Sequence, residues 1–168
     1  VYDRLGDRAN SLSALDQILV PSGIPISPAR KAEAAYRKAV YFLEDGDHAQ
    51  ASAWSDKALA LCQGASCPVE GRLFNLKARM ELSKKNTAVS LSHARRALTV
   101  NRSTADKIEE ANSLRLIADA SLQNKDFATA QQFYDDALRL DKEAGSATKI
   151  ALDLMGLGRS LVQQGKRA

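Results

Sequence analysis

Few residues in this chain are of types that carry out chemistry, and their spacing argues against catalysis. His48 and His93 stand alone, since neither belongs to an HxxxH, HxE or His-Cys arrangement that would hold a metal or activate a nucleophile. Gly156 and Gly158 sit inside a helical pattern and form no phosphate-cradling loop. Cys62 and Cys67 are separated by four residues, at the end of one helical pattern and just before Pro68. Metal binding needs more ligands than that pair supplies, so the choice is between a disulfide across the turn and two ordinary thiols. A disulfide would put the chain in an oxidising place such as a periplasm or cell envelope, and free thiols in the cytoplasm. No catalytic, cofactor-binding or metal-binding residue is expected, and the chain is read as non-enzymatic.

Composition sets the frame around those residues. The 168 residues suffice for one substantial domain, and a hydrophobic fraction of 45% excludes wholesale disorder. No run of eighteen apolar residues suggests a membrane span. Alanine is abundant while aromatics are 5%, which suits closely packed helices better than sheets. The net charge of +4, from 24 basic and 20 acidic residues, is dispersed, without the basic stripe that nucleic acid requires. The sequence begins at Val1, so a leader or anchor would lie upstream of it.

The organising stretch is 112–142. Leu114, Ile117, Ala118, Ser121 and Leu122 recur at helical spacing, as do Phe127, Ala130, Phe133, Tyr134, Ala137 and Leu138. Gln123 to Asp126 breaks the pattern and supplies an Asp N-cap, so the stretch reads as an antiparallel helical hairpin. A similar unit starts at Ala32, with Ala35, Ala39 and Phe42, a Gly46-Asp47 turn, then Ala51, Trp54 and Ala58. A poorer one follows Gly71: Glu81 takes an apolar position and Lys85-Asn86 replaces Gly-Asp. Ser27-Pro28 restarts a helix after the break at Pro21 to Ser27, Asp7 caps an early helix, and Ser146 caps a late one. The small residue of each first helix recurs as Ala39, Ala78, Ala118 and Gly158, in steps of 39, 40 and 40, the mark of a stacked repeat.

With a small residue late in the first helix, then Ala, an aromatic and Ala in the second, these hairpins resemble the tetratricopeptide repeat family. The period is about six residues longer than the usual ~34, an extra turn per helix or a longer connection, like the repeats of kinesin light chains and some bacterial signalling proteins. The resemblance implies an all-α, right-handed α-solenoid of antiparallel helix hairpins. Its expected parts are a partial repeat at 1–20, a linker and helix start at 21–31, repeats at 32–70, 71–110 and 111–146, and a partial repeat at 147–168. The chain is expected to be a section of a longer array with uncovered apolar ends able to self-associate. His48 is expected to pack at a turn, Trp54 to pack in the core, and Gly158 to allow close helix packing.

What the resemblance implies about function is a protein or peptide partner held by the first helices, which line a concave groove. The matching positions are Tyr36, Val40 and Leu43, then Asn75, Arg79 and Leu82, then Asn112, Arg115, Asp119 and Leu122, then Met155, Arg159 and Val162. Asn would bond an extended backbone, Arg would hold a carboxylate, and Tyr, Leu and Met would give apolar contact. The competing reading makes Asp119 pair with Arg79 and Arg159 as a solvated ladder. An assembly role in a cell-envelope or secretion complex, or a regulatory domain of a signalling protein, are the alternatives to the binding scaffold. Tyr36 and Val40 occupy places where the carboxylate-clamp class of this family has Lys and Asn, so that partner is not carried over.

Overall fold

A computed structural model describes residues 8–20, 25–63 and 67–165, and among them every regular element is a helix. The expected Asp7 cap and the Pro21–Gly23 break lie outside the described residues. Contacts divide the chain into a first unit, residues 1–73, and a second, residues 74–168.

The first unit contains α1 (Arg8–Leu19), α2 (Pro28–Glu44) and α3 (His48–Cys62), and the first residues of α4 (Glu70–Ser83). Helix α2 starts as the Ser27-Pro28 pair dictates: the Ser27 hydroxyl accepts from the Arg30 amide, and Pro28 sits where its missing N–H costs nothing. The core gathers Ala32, Ala35, Ala58, Val69 and Leu73, with Trp54, Leu59 and Leu61 packed against it. Trp54 thus packs as expected, with Lys38 Nζ 4.2 Å and Lys57 Nζ 4.5 Å from its ring centre. Lys38 is buried and bonded to Asp16, tying α1 to α2. Cys62 and Cys67 are joined by a disulfide. His48, expected to pack, is exposed at the first position of α3, because its neighbour Asp47 caps that helix through the Gln50 amide.

The second unit holds the rest of α4, then α5 (Thr87–Ser103), α6 (Lys107–Gln123), α7 (Phe127–Glu143) and α8 (Ala147–Gln163). The last four are each 17 residues long and joined by three-residue turns. The extra length of this repeat therefore lies in its helices. Each turn places one residue in the left-handed region: Lys85, Ala105, Lys125, Gly145 and Gly165, one every twenty residues. The next residue then serves two helices. The amides of Asn86, Asp106, Asp126 and Ser146 close the outgoing helix on the carbonyls of Glu81, Asn101, Ser121 and Asp141. The Asp106 and Asp126 carboxylates cap the incoming helix on the Glu109 and Thr129 amides. Glu81, unexpected at an apolar position, accepts from Asn86 Nδ2 and Lys84 Nζ and so braces the turn that has no glycine.

Ala105 at φ 55° and Lys125 at φ 62° hold conformations that a Cβ disfavours by about 1–2 kcal/mol. Ala105→Gly and Lys125→Gly should each raise stability by about 0.5–1 kcal/mol after the added freedom of the unfolded chain is counted. Urea-denaturation midpoints check this, and an unchanged or lower midpoint contradicts it.

Alanines make the core of the second unit. Ala78, Ala94, Ala111 and Ala137 join Leu98, Leu114, Ile117 and Leu140 in one cluster. Ala118 and Ala130 join Tyr134, Leu138 and Leu157 in another. Side chains this small let ridge and groove approach closely, so shape, more than bulk, holds the hairpins together.

Candidate functional site

Polar side chains on α4, α6 and α8 are placed by the period, and most of those in the second unit bond to one another. Asn75 is buried; its amide donates to the Glu109 carbonyl and to Glu109 Oε2, and its oxygen accepts from the Ser113 hydroxyl. Asn101 of α5 donates to the same Ser113 oxygen. An extended ligand backbone would find none of these groups free.

Arg115 forms the centre of the next layer. Its Nε donates to Asp153 Oδ1 at 2.6 Å, its Nη1 to Asn112 Oδ1 at 3.1 Å, and its Nη2 to Asp141. Asp153 and Asp141 have side chains 0% and 1% exposed, so one guanidinium ties α6 to both α7 and α8 in a nearly dry environment. The second Asp141 oxygen is buried without a hydrogen-bond partner. Burial pushes the Asp153 carboxyl above its ordinary range, with the bonds from Arg115 opposing it.

Asp119 occupies the third layer. It accepts the hydroxyl proton of Tyr134; of the two arginines in the ladder expected from sequence, the charge of Arg159 acts on it, and no bond to Arg79 forms among the described residues. Burial raises the Asp119 carboxyl, and burial followed by the nearby Asp119 charge raises the Tyr134 phenol. Tyr134 lies against Gly156 of α8, where a Cβ would meet its ring atoms at 2.3 Å. Close packing thus falls to Gly156. A Cβ on Gly158, the glycine expected to have that task, would meet nothing within 4 Å.

Eight of the thirteen groove positions, those offering an aromatic, polar or thioether contact, therefore separate. Tyr36 belongs to the first unit, half-buried beneath Arg72, whose guanidinium is 5.2 Å from the ring centre and bonded to Glu33. Asn75, Arg115 and Asp119 are engaged inside the second unit, and Asn112 is half-buried on Arg115. Arg79, Met155 and Arg159 are exposed.

Around Arg159 the structure forms a cleft of about 490 Å³ lined by Leu122, Gln123, Lys125, Phe127, Arg159 and Gln163. Two cations stand there beside two apolar walls and two amides, and no carboxylate lines it. Sequence reading had placed Phe127 in the core and Lys125 in a plain turn.

Helical hairpins of this kind define an all-α repeat protein of the solenoid class. Residues 111–143 match the family model of the tetratricopeptide repeat. Among solved structures, the chain is similar to the N-terminal domain of stress-induced protein-1 (STI-1) from C. elegans, with a TM-score of 0.61 at 19% identity, covering 79% of this chain and 98% of that one. No curated protein matches. Residues 111–143 thus match a tetratricopeptide repeat, a repeat that binds proteins or peptides in its family, and the fold around them is similar to that of the STI-1 domain. Among the described residues, no helix is long and apolar enough to cross a membrane, and no group of three or more His, Cys, Asp or Glu could hold a metal ion.

Proposed function

We propose that the second unit binds a segment of another protein in the cleft between α6, α7 and α8, seating an acidic residue on Lys125 and Arg159 and an apolar one between Leu122 and Phe127. One observation carries this reading: two cationic side chains, Lys125 and Arg159, flank an open apolar surface that no carboxylate lines, with Arg159 also within reach of the Asp119 charge. Arg79 and Met155, also on first helices, are exposed. The buried bonds of Asn75, Arg115 and Asp119 shape that surface from below, and Asn112 steadies Arg115. Tyr36 would serve the first unit in the corresponding way. A scaffold of this kind needs no reactive group.

Short peptides selected by display against the chain supply the probe. Arg159→Ala and Lys125→Ala should each weaken binding about 3- to 10-fold in titration calorimetry, and raising salt should weaken it further. Affinities unmoved by both substitutions would remove the cleft from consideration. The Cys62–Cys67 disulfide supports residence in an oxidising compartment such as a periplasm or cell envelope. Alkylation of the protein taken directly from its host, with and without reduction, tests this by mass: two thiols labelled before reduction would place it in the cytoplasm.

A further inference from the structure

The polar joint of the second unit occurs twice, one repeat apart, in two chemistries. Asn75, Asn101 and Ser113 lie forty residues before Arg115, Asp141 and Asp153, so the two sets occupy the same places on a first helix, a second helix and the next first helix. The earlier set is neutral. Ser113 donates to Asn75 Oδ1 at 2.8 Å and accepts from Asn101 Nδ2 at 3.0 Å, and no buried side-chain atom of that set lacks a partner among the described residues. The later set carries one cation and two anions. Arg115 bonds both carboxylates, yet Asp141 Oδ1 is left buried with no hydrogen-bond partner among the described residues. Both carboxylate side chains are at most 1% exposed, so bulk solvent does not screen the excess negative charge.

Neighbouring groups do not balance that charge. From α6, Asp119 adds a further carboxylate, which takes the Tyr134 hydroxyl of α7 and feels the charges of Arg115 and of Arg159 on α8. Lys149, one turn before Asp153 on α8, makes no bond to it among the described residues. Asn112 is an acceptor for Arg115 and brings no charge. A buried charge in excess is relieved by neutralisation, and the counter-charge that remains is a proton. We propose that Asp153 takes up a proton in mild acid and shares it with Asp141, so that the joint between α6, α7 and α8 tightens as pH falls. One proton evens the set to one cation and one anion, and it gives the pair a donor, as the Ser113 hydroxyl does in the earlier set. Burial pushes the Asp153 carboxyl above its ordinary range; the bonds and charge of Arg115 oppose this, and the charge of Asp141 adds to it. The sign follows: a carboxyl raised in the folded state adds stability that is present below the ordinary range and lost as pH rises through the raised value.

Asp141→Asn tests this, because its amide nitrogen can stand where the unbonded Asp141 oxygen stands and supply permanently the donor that the proton supplies. Unfolding equilibrium constants of the full chain and of this variant are compared by urea denaturation from about pH 5 to about pH 8. As pH rises the unaltered chain should lose stability relative to the variant, the ratio of the two constants changing at least about threefold over that interval. Asp119 is present in both proteins and drops out of the ratio. Carbon-13 NMR titration of the side-chain carboxyls in the unaltered chain is the second reading, and it needs no variant. The Asp153 signal should move above the ordinary carboxylate range, and the Asp141 signal should respond in the same interval, as expected of two sites that share one proton. A ratio that stays flat with pH, or an Asp153 signal that moves alone or within the ordinary range, overturns the proposal.

Discussion

Arg115→Ala should destabilise the protein by about 3–5 kcal/mol, the range for removing one partner from a buried ion pair. Its guanidinium is shared between Asp141 and Asp153, both buried, and without it both carboxylates lose the cation they are paired with. Asp141→Asn should cost about 1 kcal/mol or less, because one Asp141 oxygen already lacks a partner and the change evens one cation against one anion. Equilibrium urea denaturation followed by circular dichroism distinguishes the two. If Arg115→Ala costs under about 1 kcal/mol, the strut reading fails and Arg115 returns to the candidates for ligand contact.

The same cluster sets a pH signature. Asp153 and Asp119 have carboxyls raised by burial, so the folded state holds their protons at higher pH than the unfolded chain does. Their contribution to stability is fully present below the ordinary carboxylate range and is lost as pH rises through the raised values. Glu81 is lowered chiefly by hydrogen bonds from Lys84 and Asn86. Glu110, on which burial acts the other way, is lowered by hydrogen bonds from Lys107 and Arg102. Their contributions are present above the ordinary range and lost as pH falls through the lowered values. Removing Arg115 takes away the bonds that hold Asp153 down, so its carboxyl rises further. The deficit of Arg115→Ala should therefore shrink between about pH 7 and about pH 5, and a deficit that grows in acid would contradict this assignment.

Gly156→Ala should lose about 2–3 kcal/mol, and Gly158→Ala, two positions along the same helix, should gain about 0.5–1 kcal/mol. Both replacements gain the same helix propensity, so their difference isolates what the new methyl meets. At Gly156 it meets the Tyr134 ring at 2.3 Å; at Gly158 it meets nothing within 4 Å. Tyr134 cannot swing away cheaply, since it is buried and its hydroxyl satisfies the half-buried carboxylate of Asp119. Denaturation midpoints moving the same way for both variants would show that the ring yields freely.

Much of the architecture was legible in the chain because it is set by neighbours a few residues apart. Ser27-Pro28 starts a helix, Gly46-Asp47 turns one hairpin, Asp126 caps α7, and alanines at helical spacing mark the faces that meet. The steps of 39 and 40 residues were enough to read stacked hairpins. Turns without glycine were harder to see, because Lys85, Ala105 and Lys125 adopt a conformation their side chains disfavour, held there by the hairpins on either side.

Local spacing could also place Arg115, Asp119 and Asn75 on the first helices, and so make them candidates. Whether each is a ligand contact or an internal strut depends on what stands opposite: Asp141, Asp153, Tyr134 and Ser113, all twelve or more residues away. The same holds for the two glycines of α8, whose difference is one tyrosine on another helix. Sequence periodicity alone determined the repeat, its helices and the caps at Ser27 and Asp126, since those follow from backbone bonds and side-chain spacing within a turn or two, while Ser146 precedes α8 without a side-chain cap bond. Only tertiary structure decided which polar groups are spent on one another and which apolar face is left open, since burial is a property of the pair of surfaces that meet.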